Sequence, residues 1–207
     1  MSGAAHIPKR GDFVRAFVIV LVAAFSLAGC FPPYTTHPVG TTIGFSNDPV
    51  LTGTWRAEAT SADDGGKFQY YHFLPATNGS ILVVVVPSIG GSSELALARL
   101  TTVRVGADHI MNLRLIAGPD SDASGQPPGT VPLLYRLDAK GRLLFFTPDE
   151  GAVKDAIKAR KIAGKLGKNG TDAIVITSSG AALDKFFLSS AGLALFSVQQ
   201  VTLTKLN

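Results

Sequence analysis

The chain has 207 residues, nearly half of them apolar, with few charges and a formal net charge of +4. That length suits one domain plus targeting segments, and the composition excludes disorder, which needs low hydrophobicity and high net charge. Lys9, Arg10, Arg15 and Asp12 lie before Cys30, and without them the formal charge falls to +2, too small for the dense basic footprint of a nucleic-acid binder.

The first elements are targeting signals. Basic residues Lys9, Arg10 and Arg15 precede the unbroken apolar run Ala16–Phe25, which ends in Ser26-Leu27-Ala28-Gly29-Cys30. A positive start, a short apolar stretch and small residues at the cut describe a secretory signal peptide over 1–29. The run is short against the ~20 residues that span a bilayer. Cys30 is the only cysteine, so the chain has no intramolecular disulfide framework.

Leu27-Ala28-Gly29-Cys30 resembles the lipobox of bacterial lipoproteins. The resemblance implies cleavage between Gly29 and Cys30, a diacylglycerol on the Cys30 thiol and acylation, such as palmitate, at the new N-terminus. Two acyl chains anchor a protein stably without a transmembrane helix. Phe31 follows the cysteine in place of the Asp associated with inner-membrane retention in enteric bacteria. The resemblance therefore points to the cell envelope, at the periplasmic face of the outer membrane in a Gram-negative cell.

Residues 31–50 contain Pro32, Pro33, Pro38 and Pro49 and a single charge, Asp48. Proline lacks a donor and fixes φ, so 30–50 reads as a lipidated cysteine and Pro-rich tether. If flexible, such a spacer reaches on the order of 25 Å. Tyr34 and Phe45 are the residues able to dock it.

From 51 to 207 the pattern is a β-barrel-like domain. Thr52–Thr60 alternates, with Gly53, Trp55, Ala57 and Ala59 on one face, as in a half-buried strand. Lys67–Leu74 follows, with Phe68, Tyr70, His72 and Leu74 assigned to its inner face. After the Asn78-Gly79 turn comes Ser80–Val86, apolar on both faces. Further strands are predicted at Glu94–Val105, His109–Ala117, Thr130–Leu137 and Arg142–Thr147. A helix is predicted from Thr147, as cap, to Arg160, with Pro148 and Glu150 in its first turn. Ala173–Thr177 is a strand, Ser179 caps a second helix carrying Leu183, Phe186 and Phe187, and Ser197–Leu206 is the last strand. The sum is a mainly β fold, an eight- or nine-stranded antiparallel meander with two short helices.

Gly53-Thr54-Trp55 at the first strand resembles the G-x-W signature of lipocalins, which implies a lipocalin-like barrel with tryptophan plugging one end. The lipocalin T-D-Y turn is absent, as is the late arginine that packs on the tryptophan; after Arg160 every basic residue is a lysine. Trp55, Tyr70, His72, Met111, Tyr135 and Phe145 are the candidate lining of a site for a small apolar ligand.

Catalytic chemistry is hard to assemble. There is no G-x-S-x-G, and neither a paired-histidine motif nor a cysteine pair for zinc. His72 and His109 are the domain's histidines, and the sequence nominates no carboxylate for either. Asp120-Ser121-Asp122 opens like an EF-hand loop, but Val131 stands where the bidentate glutamate belongs. No metal or cofactor is expected. Lys154, Lys158 and Lys161 recur at helical spacing, a candidate contact for anionic lipid headgroups or an acidic envelope partner. The first reading is thus a non-catalytic envelope binding or structural protein. A carrier or sensor of a small apolar ligand comes second, and an enzyme last.

Overall fold

A computed structural model describes residues 32–57, 69–76, 78–87, 95–117, 129–167 and 174–206. The expected signal peptide, Gly29 and Cys30, and residues Asp120, Ser121 and Asp122 lie outside the described residues.

Eight antiparallel strands close into a lipocalin-like barrel. They are β2 (Gly53–Ala57), β3 (Gln69–Pro75), β4 (Ile81–Pro87), β5 (Ala96–Val105), β6 (Asp108–Ala117), β7 (Val131–Leu137), β8 (Leu143–Thr147) and β11 (Val198–Lys205). Each pairs with its predecessor, and β11 closes the ring between β8 and β2. Closure removes the open edges that a flat meander would expose. Tight turns at Gly79, Gly106 and Gly141 join three of the hairpins.

Outside the barrel, β1 (Tyr34–Thr35), β10 (Val175–Ile176) and β9 (Gly164–Lys165) form a small sheet in the order β1-β10-β9. Among the described residues the helices are α1 (Glu150–Lys158), α2 (Gly180–Phe187) and the single turn α3 (Ser190–Leu193), one more than expected there. Asp149, not Thr147, caps α1, its carboxylate accepting from the Ala152 N–H at 2.7 Å. Thr147 is instead the buried last residue of β8. α1 ends at Lys158 because Arg160 turns into the left-handed region at φ 58°. The N–H groups of Arg160 and Lys161 then return to the carbonyls of Ile157 and Ala156, the double bond of a Schellman ending.

Two apolar cores result. One fills the barrel, with Trp55, Phe73, Leu100, Met111, Tyr135 and Leu143. The other lies between the outer wall of β5–β7 and the helical layer. There Val103, Ile110 and Leu134 meet Val153, Leu183 and Phe187. Around Val103, Ile110 and Leu134 the β5–β7 strands are therefore buried on both faces.

The expected tether is not free. Pro33, Tyr34, Thr35, Val39, Gly40 and Leu51 are buried, so residues 32–50 belong to the domain. Proline excludes regular structure from this stretch but does not exclude packing. Tyr34 N–H donates to the Ile174 carbonyl at 3.0 Å, and Thr35 and Thr130 exchange two backbone bonds. Asn112 on β6 brackets Val39, accepting from its N–H at 2.7 Å and donating to its carbonyl at 2.8 Å. Gly40 passes at φ 100° with the Val103 side chain where a Cβ would stand. The Asp184 carboxylate of α2 accepts from the N–H groups of Gly40 and Thr42 and from both hydroxyls of Thr41 and Thr42. Burial raises the Asp184 pKa, but these four donors outweigh it and hold the carboxyl below its usual range.

The strap then crosses the barrel end where β2 starts. Ser46 bridges to Thr102, and Leu51 is fully buried under Trp55, whose indole N–H donates to the Leu51 carbonyl at 2.7 Å. Gly53 takes φ 119° as the chain turns into β2. Lys205 lies over the Trp55 ring at 5.3 Å, within cation–π range.

Trp55→Ala should destabilise the domain by about 3–5 kcal/mol, read by urea unfolding followed in the far-UV, since Trp55 is the only tryptophan. Asp184→Asn places an amide among donors and should cost about 2–3 kcal/mol. The lowered pKa means Asp184 stabilises the fold above its unfolded value of ~3.9 and loses that contribution as pH falls through the folded value. Acid titration of stability should accordingly be shallower in the Asn variant; equal slopes would refute the assignment.

Candidate functional site

The barrel interior is the first place to look for a ligand. Its faces follow from register: residues directly opposite in an antiparallel pair share a face. Trp55 faces Tyr71 and Gly53 faces Phe73, so Tyr71 and Phe73 point inward with the tryptophan. Tyr70 and His72 face Arg56 and Thr54 on the outer wall, where His72 Nδ1 lies 2.9 Å from the Thr54 hydroxyl. The inner-face assignment of Phe68, Tyr70, His72 and Leu74 is therefore inverted for the described residues of β3. The run Gln69-Tyr70-Tyr71-His72-Phe73-Leu74 is apolar at both parities, and only pairing with β2 decides between them.

A cavity of about 40 Å³ remains inside. Met111 and Phe145 line it, with Tyr71, Phe73, Ala98 and Leu133 among their neighbours. Its wall is almost wholly apolar, so it has no partners for ordered water. Trp55 and Tyr135 share this core but do not line the cavity; they close the end that the strap seals. Towards the other end, inward-facing Tyr71, Leu113, Leu115 and Val131 are only partly buried. An apolar cavity of ~150 Å³ admits a benzene ring; this one is well below that size. Burial pushes the Tyr71 hydroxyl up from its ordinary pKa, and it donates to Gln69 Oε1 at 2.8 Å.

The sealed end holds a cluster of titratable side chains that sequence reasoning missed. Tyr135 OH donates to Asp48 Oδ2 at 2.7 Å, and His109 Nδ1 lies 3.1 Å from the same oxygen. The His109 and Tyr135 rings stack obliquely with centroids 5.2 Å apart. Burial is the largest cause of a raised Tyr135 pKa, and the Asp48 carboxylate adds to it. Asp48 is the carboxylate that His109 lacked in the sequence, and its position in a presumed tether hid it. His72 and His109 do not meet: one is on the outer wall of β3, the other at the floor beside β7. The cluster ties the strap to β6 and β7. Among the described residues, no group of three or more metal-ligating side chains converges.

The basic helix face is less open than its spacing suggests. Lys154 pairs with Glu150 one turn earlier, and Lys158 lies 3.9 Å from Asp155. Lys161 follows the reversal at Arg160 and so leaves the helix face on which it was counted.

The fold and this site define a class: a closed eight-stranded β-barrel with a nearly filled apolar interior and an N-terminal strap sealing one end. Comparison with models of known families, with curated proteins and with solved structures finds no match to this chain.

Ala98→Val, which adds two carbons at the cavity wall, should raise stability by about 0.5–2 kcal/mol, measured by urea unfolding. Destabilisation would show that the interior has no usable space.

Proposed function

We propose that this chain is a lipid-anchored protein of the bacterial cell envelope that acts by surface contact rather than by catalysis or by enclosing a ligand. One observation carries the mode of action: the barrel is nearly filled by its own side chains while the outer wall of β3–β5 carries half-buried and exposed aliphatics among Tyr70, His72 and Arg99. On β3–β5 the outward residues Leu82, Val84, Val86 and Leu97 are only half-buried, and Leu74 and Leu95 are 47% and 53% exposed. The helical layer covers the part of β5–β7 around Val103, Ile110 and Leu134 and leaves this wall bare. A contiguous apolar patch rimmed by polar residues is the usual mark of a binding surface. The anchor itself rests on Leu27-Ala28-Gly29-Cys30 after the basic and apolar segments.

A second reading, carriage of a small apolar group, draws on the cavity beneath Met111 and Phe145. It requires the interior to widen well beyond its present volume, at the partly buried end near Leu113 and Val131.

Labelled palmitate fed to the native host should enter the wild-type protein and not Cys30→Ser, and the variant should leave the membrane fraction. Absence of label from the wild type would defeat the anchoring. Native mass spectrometry of the extracted protein should show no stoichiometric apolar ligand; finding one would favour carriage.

A further inference from the structure

We infer that the flank formed by Arg160, Lys161, Lys165 and Leu166 faces the anionic phospholipid surface to which Cys30 is anchored. The inference rests on acylation of Cys30, and it specifies which side of the barrel the membrane touches.

The argument begins with the length of chain between anchor and fold. Pro33 and Tyr34 are buried, and Tyr34 is held by its bond to Ile174. Cys30 precedes Tyr34 by four residues, which span at most ~14 Å when extended. That is far less than a free twenty-residue spacer provides, so the domain cannot turn every face to the bilayer. The faces available are those around the start of β1.

The small sheet says what lies there. Tyr34 is opposite Val175, and Val175 is opposite Lys165. Two inter-strand spacings place Lys165 about 10 Å from Tyr34. Leu166 follows directly and is 37% exposed. Arg160 and Lys161, both exposed, precede β9 by a few residues. Among the described residues, no carboxylate lies within ion-pair distance of Arg160, Lys161 or Lys165, whereas Lys154 and Lys158 are paired. Three cations without an ion pair among the described residues thus stand beside the chain entry. Attraction to anionic lipid falls off within a Debye length of ~8 Å, so only cations held this close to the surface contribute. An exposed leucine among them adds an apolar side chain for the headgroup boundary. Arg160 also occupies a left-handed helix-ending position where glycine costs least, so the chain keeps a cation where backbone geometry favours none.

The lone cysteine makes the test clean. Once its sulfur is acylated, a cysteine introduced elsewhere is the only free thiol. Lipidated Leu166→Cys and Leu137→Cys proteins, purified from host membranes, would each carry an environment-sensitive fluorophore. Leu137 is comparably exposed but sits at the β7–β8 turn. In vesicles of phosphatidylcholine and phosphatidylglycerol, quenching by spin-labelled lipid should be several-fold stronger at 166 than at 137. Adding Arg160→Glu and Lys165→Glu should reduce it. Equal quenching at both sites, or more at 137, in palmitate-labelled protein overturns the orientation alone. Protein that takes up no palmitate overturns the anchoring and the orientation together.

Discussion

One buried carboxylate organises the non-barrel half of this molecule. Asp184 projects from α2 and gathers four donors from Gly40, Thr41 and Thr42. Backbone N–H groups brought under a helical layer must find acceptors or lose their hydration uncompensated. The strap can lie between β5–β7 and α2 only because Asp184 and Asn112 supply those acceptors. The outer core and the sealed barrel end both follow from that placement, since the same segment continues to Asp48 and Leu51.

The two cores divide the work. Inside, a large plug at one end and medium-sized aliphatics elsewhere leave little free volume. Outside, β5–β7 are covered around Val103, Ile110 and Leu134, and the wall of β3–β4 is not. A barrel filled in this way resists ligand entry but offers its walls as surfaces. The uncovered wall carries exposed aliphatics, and cations without an ion pair among the described residues flank the chain entry.

Much of the barrel was legible in the sequence. Strand after strand showed period-two alternation or short apolar runs punctuated by Asn-Gly and Gly turns, and local chemistry alone implies a meander. Alternation on β2 identified Trp55 as an inward residue. It failed on β3, where both parities are apolar and only the partner strand chooses. Thr147 read as the helix cap, but Thr147 is committed to β8 and Asp149 caps the helix instead.

The strap is the instructive failure. Its prolines and scarcity of charge describe a linker, and nothing local reveals that Asn112 and Asp184 will satisfy its backbone. For that reason Asp48 was not legible as the partner of His109 and Tyr135, nor Lys205 on β11 as the cation over the Trp55 ring. From residue order alone came the mainly β meander and the barrel class, because these depend on short-range pattern. The inner face of β3, the docked strap, the sealed floor and the crowded interior belong to tertiary structure, because each depends on groups more than a dozen residues apart meeting at hydrogen-bond or van der Waals distance.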